Sequence, residues 1–174
     1  MVSSLDVFDA IKLRRSIRRY KRKEVEKEKL IRIIEAGRLA PSATNSQPWH
    51  FIVITNPEIK KKLGESYPKD WFVNAPVIIV ACADPSKAWV RADGEEYWKV
   101  DVAIALQNMV LCAVEEGLGT CWIANFNEKI VKEVLGIPSG IRVVAMTPLG
   151  YPDEVKGEVR DRKPLEEILH FEHW

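Results

Sequence analysis

The sequence predicts a globular domain of the α/β or α+β class, and three observations lead to this expectation. The chain has 174 residues, of which 47% are hydrophobic and 29% charged, a composition typical of a folded soluble domain. Several segments repeat apolar residues at helical spacing, whereas others are short apolar runs that suit strands. Helical and strand-like segments alternate along much of the chain. We therefore expect a single domain over residues 1–174 that mixes helices and strands.

Two helices are predicted in the first forty residues. Apolar residues at helical spacing from Leu5 to Ile11 indicate a short first helix, with Ser3 and Ser4 as candidate caps. A second amphipathic pattern covers Glu26 to Ala40, and Pro41 ends it. The polar loop "PSATNSQ" follows.

Two strands and a short surface helix are predicted next. The stretch "HFIVIT" (His50 to Thr55) and the stretch "PVIIVACA" (Pro76 to Ala83) both have the character of strands. The second is so uniformly apolar that both of its faces must be covered. Between the two strands, Pro57 to Leu63 is expected to form a short helix.

The second half of the chain is organised around one long apolar helix. The segment from Tyr97 to Glu116 contains neither glycine nor proline and is apolar nearly all round, which places it in the middle of the fold or in a subunit interface. After it we expect a strand at "TCWIA", a helix at "NEKIVKEVLGI" and a strand at "IRVVAMTPLGY". The tail turns at Pro164 and ends in an apolar, aromatic segment, which we expect to be covered and not free in water.

Positive charge is concentrated in the stretch "LRRSIRRYKRK", Leu13 to Lys23, where seven of eleven residues are basic. The chain as a whole has 26 basic and 25 acidic residues, so this concentration is local. Charge alone permits three interpretations: a solvated surface, an arm that contacts nucleic acid, or a pocket for a specific anion.

Several functional classes lack their sequence signatures. The three histidines have no metal-ligand spacing, and the three cysteines are odd in number with no CxxC pair, so neither a zinc site nor a disulfide framework is expected. Hydrolase and phosphate-loop motifs are missing. No apolar run could span a bilayer, and we expect a cytoplasmic protein that does not bind membranes. Since no side chain is an obvious acid, base or nucleophile, the sequence favours chemistry carried by a bound cofactor.

Two further segments suit such a site. The loop in "RLAPSATNSQPWHF" is read most simply as a helix stop and a turn, but its amides, its hydroxyls and the side chains of Asn45 and Gln47 could also face a flat ring with heteroatom edges. In "VRDRKP", Arg160 and Arg162 lie two residues apart and so on one side of an extended chain. They could bring charge to the same anion as the N-terminal arginines.

Four motifs in collinear order resemble the nitroreductase family of flavin-dependent oxidoreductases. They are "RRSIRRY", "APSATNSQPWHF", "GLGTCWI" and "TPLGYP" followed by "RDRKPLEEILH", and together they extend over nearly the whole chain. The resemblance implies an α+β fold with a central mixed or antiparallel sheet flanked by helices. It also implies an intertwined homodimer that binds flavin mononucleotide (FMN) at the subunit interface.

The family's motifs assign roles to residues of this chain. The resemblance implies that the N-terminal cluster and the basic pair of the tail bind the FMN phosphate and ribityl chain. These residues are Arg14, Arg15, Ser16, Arg18, Arg160 and Arg162. It also implies that a loop of the partner subunit lines one side of the isoalloxazine ring, with Pro41, Ser42, Ala43, Asn45 and Gln47. The reactive edge of the ring is expected to lie along Trp122, Ile123, Ala124 and Asn125.

The segment at the reactive edge departs from many relatives. Larger members of the family often have Glu-Gly where this chain has Ala124 and Asn125. A backbone amide near the flavin N5 can persist with this change, whereas any side-chain role is in doubt. The aromatic stretch from Trp89 to Trp98 lies where family members differ and often cover the substrate.

The resemblance implies a ping-pong reaction, in which NADH or NADPH delivers hydride to the flavin and leaves before an electron-poor acceptor is reduced. Nitroaromatics, quinones and other flavins are such acceptors, and no catalytic side chain is required. An FMN-binding protein with another reaction, such as dehydrogenation, dehalogenation or flavin fragmentation, is the alternative. Nucleic-acid binding is a remote alternative, because the overall charge is near neutral and the serine within the arginine cluster matches the family.

Overall fold

A four-stranded antiparallel sheet forms the centre of the chain, whose computed structural model describes residues 5–157 and 159–174. The strands are β1 (Trp49–Ile54), β2 (Val77–Ala83), β3 (Gly119–Thr120) and β4 (Arg142–Gly150). The helices are α1 (Val7–Leu13), α2 (Lys27–Arg38), α3 (Pro57–Leu63), α4 (Asp70–Val73), α5 (Trp98–Glu115) and α6 (Glu128–Leu135). The α+β class expected from the sequence is confirmed.

The sheet has the strand order β1-β2-β4-β3, and each neighbouring pair is antiparallel. All seven residues of β2 are buried, as its unbroken apolar sequence predicts. Side chains of a strand alternate between the two faces. Val77, Ile79 and the alternate residues after them accordingly pack in one core cluster, whereas Ile78, Val80 and Cys82 pack in another.

Helices cover both faces of β2. Helices α2 and α5 supply the first cluster, in which Val102, Leu106 and Met109 of α5 are almost completely buried. Helices α3, α4 and α6 supply the second, with Leu63, Phe72 and Val131 at its centre. The long apolar helix predicted from the sequence therefore lies in the middle of the fold. Its side chains Val100 and Ile104 are exposed on the described chain.

The strand after α5 and the cap of α1 differ from the sequence-based expectation. The predicted strand "TCWIA" is shorter than expected: β3 ends at Thr120, and the following segment returns to β4 only through an isolated bridge between Ile123 and Met146. The candidate caps Ser3 and Ser4 lie outside the described residues, and Asp6 caps α1 by accepting a hydrogen bond from the Asp9 amide at 2.8 Å.

The tail turns at Pro164 into a single 3-10 turn, Leu165–Glu167, as the sequence indicates. Its apolar end does not pack on the rest of this chain, because Phe171 is 79% exposed and Trp174 is fully exposed. Among the helices of the described chain, none combines the length and the hydropathy needed to cross a membrane.

The close approach of Gly119 and Ile17 gives a test of this packing. A Cβ atom on Gly119 would lie 2.6 Å from Cγ1 and 2.8 Å from Cβ of Ile17, so the variant Gly119→Ala should lose about 1–3 kcal/mol of unfolding free energy. Urea unfolding measures the loss. Gly140→Ala is the matched control, because a Cβ there meets nothing within 4 Å, and it should change stability by less than about 0.5 kcal/mol. Equal stability of the two variants would contradict the packing described.

Candidate functional site

The arginine-rich segment after α1 is attached to the edge of the sheet. Ser16 forms a parallel bridge with Thr120 of β3, and the Ile17 amide donates to the Thr120 carbonyl at 2.8 Å. The Ile17 side chain is buried, whereas the side chains of Arg14 and Arg15 are half-buried and that of Arg18 is exposed. The backbone of the segment is thus fixed while its guanidinium groups stay accessible to an anion.

A partly buried phenol supports this backbone. The Tyr20 hydroxyl donates to the Ile17 carbonyl at 2.6 Å. Burial raises the pKa of Tyr20 above its ordinary value, so the phenol stays protonated and keeps donating this hydrogen bond over the physiological range.

The segment that follows β4 holds the arginines from the other side. The Glu154 carboxylate accepts a hydrogen bond from the Arg18 amide at 2.5 Å, and this bond lowers the pKa of Glu154. Lys156 donates to the Ser16 carbonyl, and Arg15 donates to the carbonyl of Gly157. The sequence analysis missed Glu154 and Lys156, because they are more than 130 residues from their partners and belong to no recognisable motif.

A second predicted segment lies directly beside the arginines. Ile123 is buried and exchanges two backbone hydrogen bonds with Met146 at 2.9 and 3.0 Å. Trp122, Ala124 and Asn125 are exposed. Among the described residues, none accepts a hydrogen bond from the amide of Ala124 or Asn125. This edge therefore carries two backbone donors that have no acceptor within the described residues.

Aromatic residues that the sequence analysis did not select complete this side. The Arg18 guanidinium lies over the Trp71 ring at 5.9 Å from its centroid, and Trp71 meets Tyr67 edge to face at 5.7 Å. The Ser66 carbonyl accepts a hydrogen bond from the Asn127 amide at 3.0 Å, so the strip from Ser66 to Trp71 joins the Asn125 side of the site to the arginine side. Periodicity gives no signal for this strip, since it is a loop and a four-residue helix.

The loop Pro41–Gln47 has an unusual backbone. Thr44, Asn45 and Gln47 have φ angles of 53°, 57° and 47°, in the left-handed region. Such residues cost of order 1–3 kcal/mol each, and a β-branched threonine is especially disfavoured there. Asparagine tolerates the left-handed conformation, so Asn45 is a residue at which it could be expected. Nothing in the sequence predicts this conformation at Thr44. The surrounding structure must hold the loop in place.

Two hydrogen bonds supply part of this restraint. The Gln47 amide donates to the Ser42 hydroxyl at 2.9 Å, which closes the loop on itself. The Ala43 amide donates to Oδ1 of Asp101 at 2.9 Å, which ties the loop to the first turn of α5. Asp101 was missed in the sequence analysis, although one signal was available: it is a carboxylate inside an otherwise apolar stretch of helix.

The loop and the arginines lie at opposite corners of the sheet. The loop leads into Trp49, which pairs with Ala83 at one end of β2, whereas Thr120 pairs with Leu149, which in turn pairs with Val77 at the other end. These corners are separated by about 20 Å along the strands and about 14 Å across them. The structure therefore unites the arginine cluster with Trp122–Asn125 and does not unite either with Pro41–Gln47 of the same chain.

The remaining predicted residues are Arg160 and Arg162. Both are exposed, and Arg162 donates to the neighbouring Asp161 carbonyl at 2.8 Å. Within residues 5–157 and 159–174, no hydrogen bond connects either guanidinium to the N-terminal cluster. Their participation in an anion site stays a prediction.

The stretch from Trp89 to Trp98 forms a small closed turn next to the loop corner. Trp89 and Tyr97 meet edge to face at 5.0 Å, and the Tyr97 amide donates to the Trp89 carbonyl at 3.1 Å. The Asp84 amide donates to the Pro48 carbonyl at 2.8 Å, which joins the start of this region to the end of the polar loop. In the part of the chain that the structure describes, no group of three metal-ligating side chains comes together.

Comparisons with known proteins bear on the family and the fold of the chain. A family model described as the Nitroreductase family matches residues 11–69 and 66–151. A Methanothermobacter thermautotrophicus protein, provisionally named NADH dehydrogenase/NAD(P)H nitroreductase, is 38% identical over 178 residues, which cover 99% of this chain and 90% of that protein.

Two solved structures have the same fold. A nitroreductase family protein of Clostridium difficile 630 has a TM-score of 0.88 and 32% identity, over 95% of this chain and 97% of that one. An FMN-dependent nitroreductase of Clostridium difficile R20291 has a TM-score of 0.83 and 36% identity, over 95% of this chain and 98% of that one.

The hydrogen bond from the Arg18 amide to Glu154 gives a pH-dependent prediction. Because the folded state lowers the pKa of Glu154, the carboxylate adds stability above its unfolded pKa, and this stability is lost as the pH falls through the folded value. Glu154→Gln should therefore cost about 1–2 kcal/mol at pH 7, and the difference from wild type should vanish in acid. Urea unfolding at a series of pH values measures it. Glu133→Gln, in an exposed pair with Lys129, should cost less than about 0.5 kcal/mol, and a pH-independent loss for Glu154→Gln would contradict this interpretation.

Proposed function

The chain belongs to the nitroreductase family, and from this premise we propose that it is an FMN-dependent NAD(P)H oxidoreductase that reduces nitroaromatics, quinones or related electron-poor acceptors. The observation that carries the proposal is the position of Ser16 beside Thr120. This bridge joins the arginine segment to the strand that leads into Trp122–Asn125, where the amides of Ala124 and Asn125 have no acceptor among the described residues. The arginine cluster suits the phosphate of FMN, and the neighbouring segment Trp122–Asn125 suits the edge of its ring.

The arginine cluster is suited to the phosphate of FMN. Guanidinium groups bind phosphate through charge-assisted and often bidentate hydrogen bonds, which are stronger than neutral ones. The arginines otherwise repel one another, so a bound phosphate stabilises the fold as well. FMN at a hundred times its dissociation constant would add about 2.7 kcal/mol to the unfolding free energy. We assign this role to Arg14, Arg15, Ser16 and Arg18, with Arg160 and Arg162 completing it.

The edge formed by Trp122–Asn125 is suited to a flavin ring. Bound FMN, with its ring held along Trp122–Asn125, would supply the redox chemistry between NADH or NADPH and the acceptor. The protein then has to orient the ring, donate a hydrogen bond from the Ala124 or Asn125 amide, and limit the access of water. None of these tasks needs an acid or base side chain.

A homodimer explains why the polar loop lies far from the arginines. One ring cannot contact both groups of one chain at opposite corners of the sheet, but it can contact the arginines of one subunit and Pro41–Gln47 of the other. The exposed apolar residues of α1 and of the tail supply surface for such an interface. Cys82, Cys112 and Cys121 are free thiols, which suits the cytoplasmic location that we also propose.

An absorption spectrum tests the function directly. The purified protein should be yellow, with the spectrum of oxidised flavin, and NADH or NADPH should bleach it under anaerobic conditions. Adding a quinone or a nitroaromatic compound should then restore the colour. A colourless protein that takes up no added FMN would refute the proposal, and flavin that stays bound without bleaching would favour another reaction.

Substitution of single arginines tests the assignment of the cluster. Arg18→Ala should weaken FMN binding about 10- to 100-fold, because one charge-assisted contact to the phosphate contributes about 1.5–3 kcal/mol. Arg22→Ala removes an equal charge four residues away and should change the affinity less than about threefold. Fluorescence titration of the apoprotein measures both dissociation constants. Equal effects would show that general charge, and not a phosphate clamp, attracts the cofactor.

A further inference from the structure

A buried carboxylate lies beneath the strained polar loop and belongs to none of the four family motifs. Asp101 is 1% exposed and belongs to the first turn of α5. Its Oδ1 atom accepts the hydrogen bond from the Ala43 amide. Among the described residues, no group donates to its Oδ2 atom, and the buried hydroxyl of Ser46 in the same loop also has no partner.

This position is costly for an acidic residue. A buried carboxylate is stable only where hydrogen bonds compensate for its lost hydration, and here one backbone amide is the donor that the described chain provides. The neighbours of Asp101 on the buried side of α5, Val102 and Ala105, belong to the apolar core. An apolar residue would satisfy this core better, so packing alone does not account for an aspartate.

The loop requires a restraint of this kind. Its three left-handed residues, Thr44, Asn45 and Gln47, are each unfavourable on their own, and Thr44 is the most disfavoured. Ala43 is the residue that precedes this run, so fixing its amide fixes the direction in which the run begins. Asp101 is carried on an 18-residue helix packed in the core, which makes it a rigid point of attachment.

We propose that Asp101 is a positioning residue for the flavin site: its carboxylate holds the loop Ser42–Gln47 in the conformation that presents the loop's polar groups to the ring bound by the partner subunit. This inference rests on the proposed function. Asp101 should therefore affect binding of the ring and not of the phosphate, and it should do so in the site whose arginines belong to the other subunit.

The ring-end assignment is tested by comparing FMN with riboflavin, which lacks the phosphate. Asp101→Leu removes the acceptor and should weaken the binding of both ligands by the same factor, at least tenfold. Arg18→Ala should weaken FMN alone. Asp101→Asn keeps one acceptor oxygen for the Ala43 amide and should stay within about threefold of wild type for both ligands. Unchanged binding by Asp101→Leu, or equal losses in the Asn and Leu variants, would overturn the inference.

A second variant removes the hydrogen bond without changing the buried residue. Ala43→Pro deletes the donated N–H, and the extended backbone of Ser42, with φ −138° and ψ 157°, is compatible with a following proline. This variant leaves the core intact and should reproduce the equal loss of FMN and riboflavin affinity. Wild-type affinity for both ligands would overturn the inference even if Asp101→Leu did not fold.

Hybrid dimers test whether Asp101 acts on the partner's site. In a hybrid of one Arg18→Ala subunit and one Asp101→Leu subunit, one site receives both changes and the other receives neither. The hybrid should therefore bind one FMN per dimer with wild-type affinity, although both parent homodimers bind weakly. A hybrid with no wild-type site would overturn the inference. Wild-type protein that binds no FMN would instead refute the proposed function, so the two failures are distinguishable.

Discussion

The burial of β2 is the constraint on which the rest of the structure depends. All seven of its residues are inaccessible, so the chain must place helices on both faces and strands on both edges. Helices α2 and α5 cover one face of β2, and helices α3, α4 and α6 cover the other. Because β2 is antiparallel to both neighbours, its two ends define two corners, one beside the polar loop and one beside the arginines. The candidate site follows from this geometry.

Much of the fold could be predicted because its elements have strong local patterns. The apolar periodicity of α2 and the continuous apolar run of β2 gave bounds within two residues of those observed. The short β3 was overestimated, because its apolar sequence continues while the backbone leaves the sheet. Whether a strand continues depends on where a partner strand lies, and residues of "TCWIA" carry no information about that.

Only those site residues that lie in a recognisable sequence motif could be predicted. The arginines, the polar loop and Trp122–Asn125 were selected from their motifs, and their roles stay predictions. The groups that hold them were missed, since Glu154 lies 136 residues from Arg18 and Asp101 lies 58 residues from Ala43. Such pairs stabilise a backbone conformation and leave no periodic pattern. They are recognised only when the folded chain brings the two atoms within hydrogen-bonding distance.

The first helix connects assembly of the proposed homodimer to its cofactor site. Helix α1 has seven residues, too few to be stable alone, and Ala10 is the residue that it buries in the described chain. Its apolar side chains Val7, Phe8 and Ile11 are at least half exposed. A second subunit that covers them would stabilise the helix, and α1 leads directly into Arg14. Ordering the helix therefore orders the arginine segment, and a phosphate that orders the arginines supports the helix in turn. Dimerisation and FMN binding in the proposed enzyme should consequently favour each other through this short stretch of chain.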